Sequence, residues 1–303
     1  MGDLPLWPDP SVSASAISTR RKCGRAYFYR VFWSWGGWER TASPSRRRAY
    51  ALKTGTTGPQ MAGSLVHEAM ARFVRDARHA RTSNAEAATV EAVGKLRAWA
   101  RAAESTTAAN ASKKRPLSLE VYYGGDIDLD HAEETITECI ANGAKSEHLL
   151  AIREATTDPV INVDVMESFQ LDDWLTVWAA PDLAYEGISG RLIVVDWKTG
   201  RSRETDQEQV KLYALWAVEK GHADADRVLL SLSYLRSGVV TEGKITEGEV
   251  DEKRAALLTF AAEINDRRDA ETGAPRMDAE AWPMVAKGSR ICAYCEFREL
   301  CKR

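Results

Sequence analysis

Val194-Val195-Asp196-Trp197-Lys198-Thr199-Gly200 closes an apolar run that begins at Leu192. The run is bounded by Gly187-Ile188-Ser189-Gly190 on one side and Thr199-Gly200 on the other, which predicts a buried strand from Arg191 to Lys198. Side chains alternate along a strand, so Asp196 and Lys198 share one face while Trp197 takes the other. A carboxylate and an ammonium on one face at the end of a buried strand are costly to desolvate unless they hold a metal or a substrate. Fourteen residues earlier, Pro181-Asp182 falls within the preceding apolar run, Trp174 to Tyr185. If the two strands pair through the Gly187–Gly190 turn, Asp182 comes beside Asp196. Carboxylates meeting in this way would bind Mg2+ or Mn2+, and Lys198 would hold the attacking water or offset charge on a phosphate. Pro-Asp and Asp-x-Lys recur by chance, and a strand-end Asp usually caps a turn. It is their order and separation on predicted strands that favour a site.

Val160–Gln170 precedes these two runs as a further strand, and the three short-linked strands suggest an antiparallel meander. A helix follows over Glu204–Lys220, then strands over Val228–Leu235 and Val239–Ile245, then an amphipathic helix over Asp251–Ala270. Upstream, residues 11–33 are aromatic and basic with helical potential, and residues 34–58, rich in Gly, Ser, Thr and Arg, read as a loop. Gln60 to Ala103 has helical spacing broken near Thr82-Ser83-Asn84, and Asp128 to Ala155 reads as one more helix. Cys139 lies on its apolar stripe, where a lone Cys is a small core residue. The fold class expected is α/β: a mixed sheet flanked by helices, with a helical insertion at roughly 75–155. The organisation expected is a single domain over 1–303. It comprises an N-terminal basic and aromatic segment (11–58), a helical region (60–156), an α/β core carrying the acids (157–245), and a C-terminal helix with a Cys-rich clasp (246–303).

The 303 residues are 44% hydrophobic and 28% charged, ordinary usage for a soluble chain able to bury a sizeable core. No apolar run is long enough to span a bilayer. Met1 to Pro10 has no basic n-region and no apolar h-region, so a cytosolic location is expected. Net charge is −3, but it is segregated: Arg20 to Lys53 holds ten basic residues and one acid, and Lys287 to Arg303 five basic and two acidic. Such segregation suits a phosphate-binding surface on an otherwise acidic protein. The blander reading, two disordered basic arms, sits poorly with the interleaved Tyr27, Phe28, Tyr29, Phe32, Trp33, Trp35 and Trp38, whose area calls for burial.

Gly63 and His67 lie four apart at the start of the first long helix, and Gln209 and Tyr213 four apart on the helix after Lys198. A lone helical His is usually structural, yet an imidazole beside two carboxylates would bias the site towards Mn2+. Gln209 and Tyr213 would reach the same pocket or a DNA phosphate; a polar helix face beside a core aromatic is about as good an account of them. Cys292, Cys295 and Cys301 form C-x2-C-x5-C, one ligand short of a four-thiolate site, and Cys23 is the remaining candidate. Four thiolates suit Zn2+ or an iron–sulfur cluster, although structural zinc usually takes two close pairs.

GSLVH (63–67), PD (181–182), VVDWKTG (194–200) and QVKLY (209–213), in that order, resemble the motifs of the RecB-type branch of the PD-(D/E)XK nucleases. The resemblance implies hydrolysis of DNA phosphodiesters, with His67, Asp182, Asp196 and the Trp197 carbonyl binding Mg2+ or Mn2+. It also implies roles in catalysis for Asp182, Asp196, Lys198, Gln209 and Tyr213, and in DNA binding for Gln209 and Tyr213 together with Arg20, Arg21, Lys22 and Arg25. The cysteine pattern resembles the iron–sulfur clasp of the CRISPR-associated RecB-like exonucleases, related phage exonucleases and the AddB nuclease domain. It implies a 4Fe-4S cluster on Cys23, Cys292, Cys295 and Cys301 that joins the two basic ends. No GxxxxGK[ST] occurs, so no helicase motor is expected. The leading expectation is a DNA exonuclease working on single-stranded ends or overhangs in phage, CRISPR or recombination processing. The alternatives are a non-catalytic iron–sulfur DNA-binding subunit of an adaptation or recombination complex, and a zinc-clasped version of the same nuclease.

Overall fold

The computed structural model describes residues 5–278, 280–286 and 288–301. Lys287, Lys302 and Arg303, three of the basic residues counted at the C-terminal end, lie outside the described residues.

A short strand, β1 (Ser11–Ser13), leads into α1 (Ala14–Lys22), capped by the Ser13 hydroxyl, which accepts from Ala16 N–H at 3.3 Å. Cys23 interrupts the helix in extended backbone before α2 (Gly24–Phe28), which continues as a π-helical turn over Tyr29–Trp33. Part of the expected 34–58 loop is instead helical: α3 (Pro44–Thr54) starts with a Ser43 cap and Pro44 in its first turn, the two local signals that specify a helix start. α4 (Gly58–Ala77) opens in a Thr57–Gln60 capping box, and α5 (Ala85–Ala103) is capped by Asn84. α6 (Leu119–Tyr122) is one turn long. The single helix expected over 128–155 is two, α7 (Leu129–Gly143) and α8 (Glu147–Glu154), and the amides of Lys145 and Ser146 turn the chain between them.

The expected meander is corrected most. Each of the first two runs splits into two strands: β2 (Val160–Asn162) and β3 (Glu167–Leu171), then β4 (Leu175–Ala179) and β5 (Leu183–Glu186). β6 (Leu192–Lys198) follows as expected. One sheet runs β1-β4-β3, with β1 parallel to β4. The first break is a turn at Val163–Met166, where Asp164 takes φ +50°. The second is Ala180-Pro181-Asp182, where Pro181 lacks the N–H that a continuing ladder needs. α9 (Glu204–Glu219), β7 (Val228–Tyr234), β8 (Val239–Lys244), α10 (Glu247–Asn265) and the one-turn α11 (Arg290–Ala293) complete the chain. The larger sheet has the order β2-β5-β6-β7-β8, and α9 is the crossover between the parallel strands β6 and β7.

Alternation along β5 and β6 sorts the two faces of this sheet. Ala184, Leu192 and Val194 point into a core with Leu212, Trp216 and Val177 from α9 and β4. Leu183, Tyr185, Val195 and Trp197 point into a second core with Met70, Phe73 and Ile136 from α4 and α7. The helical stretch expected as an insertion is therefore the layer that covers one face of the central sheet. Elsewhere the two ends of the chain meet. Trp282 is fully buried and stacks on Tyr27 at 5.9 Å, and Phe297 is fully buried beside Ala26, Leu52 and Leu117. Tyr29 donates to Leu300 O at 2.9 Å, Tyr123 to Glu296 O at 2.6 Å, and Arg30 pairs with Glu296.

Within the helical core, buried His148 bridges Tyr185 OH (Nδ1, 3.0 Å) and Ser231 Oγ (Nε2, 3.0 Å). Burial lowers its pKa from 6.5 to about 4, so the folded protein holds it neutral. The unfolded chain binds the proton more readily, so this contribution is present above pH 6.5 and is lost as pH falls through 4. Thermal melting over that window is expected to fall more steeply in the wild type than in His148→Gln; parallel curves would refute the assignment.

Candidate active site

Register places the acids. Leu183 pairs with Val195, so Asp182, the residue before β5, comes level with Asp196. Asp182 Oδ2 accepts the Trp197 N–H at 2.6 Å, and its Oδ1 lies 2.9 Å from His67 Nδ1. In extended backbone a residue's N–H and C=O face the same neighbour. The Trp197 carbonyl is therefore turned to the Asp182 side, beyond the end of β5. α4 brings His67 to this point, and Gly63, one turn earlier, allows the close approach: a Cβ there would sit 3.3 Å from Thr199 Oγ1, tighter than ordinary contact.

Asp196 is 2% exposed. Its Oδ2 is paired with Lys198 Nζ at 2.6 Å, and the same ammonium donates to Gln209 Oε1 at 2.8 Å. Gln209 Nε2 in turn donates to Tyr213 OH at 2.6 Å. Gln209 and Tyr213 are therefore brought to the site as a relay that fixes Lys198.

Burial, reinforced by the neighbouring Asp182 carboxylate and opposed by Lys198, pushes the Asp196 carboxyl up to about 7. Burial would lower His67, but the adjacent Asp182 outweighs it and raises the imidazole to about 9. Tyr213 is pushed up by burial and by both aspartates, which keeps its phenol protonated. A pocket that penalises its own carboxylate charge to this degree suits a divalent cation, which would let both acids ionise. Among the described residues no group of three or more His, Cys, Asp or Glu side chains, the four clustered cysteines included, is placed to hold a metal ion.

One acid near the site escaped the sequence reading. Asp164, in the β2–β3 turn, donates its N–H to the Asp182 carbonyl at 3.1 Å. Burial and the Asp182 charge raise its carboxyl. Asn-Val-Asp between two strands carries only a turn signal in sequence, so nothing there marks it.

Of the basic residues, Arg21 lies 3.8 Å from Glu208, beside Gln209, which lays the end of α1 along α9. Lys22 is exposed, and the Nε atoms of Arg20 and Arg25 are buried with no hydrogen-bond partner. The thiols of Cys23, Cys292, Cys295 and Cys301 line one cavity together with Ala26, Met284, Ile291 and Arg298. Cys139 is apart, fully buried in the helical core. Burial, with the Glu296, Cys301 and Cys23 charges, pushes the Cys295 thiol up to about 12.

No curated protein matches the chain. The profile of the PD-(D/E)XK nuclease superfamily matches residues 11–302, nearly the whole length and a span that includes the acid–lysine site. That coverage, on a mixed α/β core, makes the chain a member of the PD-(D/E)XK nuclease superfamily.

Proposed function

We propose that this nuclease is a divalent-metal-dependent DNA exonuclease acting on single-stranded ends or overhangs. The observation that supports the metal site is the buried Asp196 carboxylate brought level with Asp182, beside His67 and the Trp197 carbonyl. These four groups would hold Mg2+ or Mn2+, which when bound supplies Lewis-acid activation of the phosphoryl oxygen and of water. Lys198 sits 2.6 Å from Asp196, placed to orient the attacking water or to offset charge growing on the phosphate. Gln209 and Tyr213 keep the ammonium there and lie where a substrate phosphate would pass. Arg20, Arg21, Lys22 and Arg25 at the end of α1 supply the sequence-independent backbone contacts. The preference for ends and single strands rests on the resemblance of the motif set to RecB-type enzymes, as does a setting in phage, CRISPR or recombination processing in the cytoplasm, with a protein partner in such a complex.

The same reading assigns Cys23, Cys292, Cys295 and Cys301 to a 4Fe-4S cluster. Its support is one cavity lined by four soft donors from opposite ends of the chain. The cluster would reinforce packing that already joins the ends through Phe297 and Trp282.

Three outcomes are expected. Asp196→Ala and Lys198→Ala abolish Mn2+-dependent release of nucleotides from 5′- and 3′-labelled single strands while retaining the brown colour; activity in both purified variants would reject the hydrolase. Gln209→Leu lowers kcat by about tenfold or more with Mn2+ affinity unchanged, and an unchanged kcat would remove Gln209 from the relay. Cys23→Ser, purified anaerobically, loses iron and visible absorption; zinc in place of iron in the wild type would correct the cluster.

A further inference from the structure

The loop that follows Lys198 opens onto a groove with no part in the acid–lysine site. β6 and β7 run parallel and end level, with Lys198 beside Tyr234. Clefts outside the carboxyl ends of parallel strands are where open α/β sheets take their ligands. One wall of this groove is the loop itself, Thr199, Gly200, Arg201 and Ser202; α7 and the β7–β8 hairpin, with Thr241, form the others. Its volume is about 1070 Å³, against the roughly 300–1,000 Å³ of clefts that hold small ligands. Gly200 keeps the loop wall open, since a Cβ there would meet nothing within 4 Å. None of the α1 arginines lines the groove; Arg21 lies against Glu208 on α9 instead.

The loop offers donors that the fold does not use. Thr199 is half-buried and Arg201 and Ser202 are exposed, and none of the three side chains makes a hydrogen bond or ion pair among the described residues. The other arginine of the groove, Arg236, is matched by Glu134 at 2.7 Å and Glu138 at 2.6 Å. That pairing also neutralises Glu138, the one carboxylate lining the groove among the described residues, and leaves Arg201 as its uncompensated charge. A guanidinium flanked by two hydroxyls is a donor set that phosphate oxygens accept from. Arg201 is three residues beyond Lys198, so the chain holds it within about 10 Å of that residue.

We propose that this groove carries the strand of nucleic acid adjoining the phosphodiester to be cut, with Arg201 on a backbone phosphate and Thr199 and Ser202 donating to phosphate oxygens. It rests on the nuclease site proposed above and extends it to the substrate's flanking nucleotides. Contacts of this kind position the strand and read no bases.

Binding of a fluorescein-labelled single-stranded oligonucleotide, followed by anisotropy in EDTA, reads the groove without cleavage. Arg201→Ala removes an exposed side chain without a partner, and Thr241→Glu sets a carboxylate on the facing wall, from a strand whose six residues are all exposed. Melting temperatures should therefore stay near wild type. Arg201→Ala is expected to weaken binding about tenfold, for oligo-dT and mixed sequences alike, and to lower the slope of log affinity against log salt by about 0.7. Thr241→Glu is expected to weaken binding as well. Wild-type affinity and slope in both variants would overturn the proposal. Cleavage of the same oligonucleotide by the wild-type protein with Mn2+ separates the two readings. Cleavage together with unaltered binding in the variants overturns the groove alone, and no cleavage overturns the nuclease site on which it rests.

Discussion

Pairing of β5 with β6 across the Gly187–Gly190 turn is the constraint on which the site depends. Register is all-or-none in a strand pair: a slip of one residue would turn Asp196 and Lys198 into the helical core and Trp197 out of it. The slip is opposed from both faces. Trp197 and Val195 fill the core under α4 and α7, while Val194 and Leu192 fill the one under α9. Asp182 adds a polar lock by accepting the Trp197 N–H just where β5 has ended and no ladder partner remains. The carboxylate thus satisfies a backbone donor and stands level with Asp196 through one geometric arrangement.

Around that pairing the layers have distinct tasks. α4 delivers His67, helped by the closeness that Gly63 permits. α9, the crossover that makes β6 and β7 parallel, delivers Gln209 and Tyr213 to the face where Asp196 and Lys198 project. The smaller sheet ties β1, and with it the basic end of α1, to β4. Apolar and polar packing of Phe297, Trp282 and Glu296 joins the Cys-rich end to the same region. Of the aromatic residues expected to argue against disordered basic arms, Tyr27, Phe28 and Phe32 are buried and Tyr29, Trp33 and Trp35 half-buried, whereas Trp38 is exposed.

Much of this was legible because strand alternation and helix periodicity are local. Asp196 and Lys198 share a face by period 2, and His67 with Gly63, like Gln209 with Tyr213, by spacing of four. What was not legible depends on tertiary choice. Runs 160–170 and 174–185 look continuous in apolar content, yet each crosses from one sheet to the other, at Val163–Met166 and at Pro181-Asp182. Only Pro181 hinted at the second switch. α3 was hidden because composition over 34–58 outweighed a Ser43-Pro44 start signal. Asp164 was invisible because its proximity to Asp182 follows from the first switch, which no local pattern announces.

The central claim is that folding assembles a divalent-ion site on Asp182 and Asp196. Crystals soaked in Mn2+ and measured for anomalous scattering test it most directly. The account predicts a strong peak within about 2.5 Å of both carboxylates, with the Trp197 carbonyl and His67 around it. Fully ordered acids with no peak between them, or Mn2+ bound only elsewhere, would contradict it.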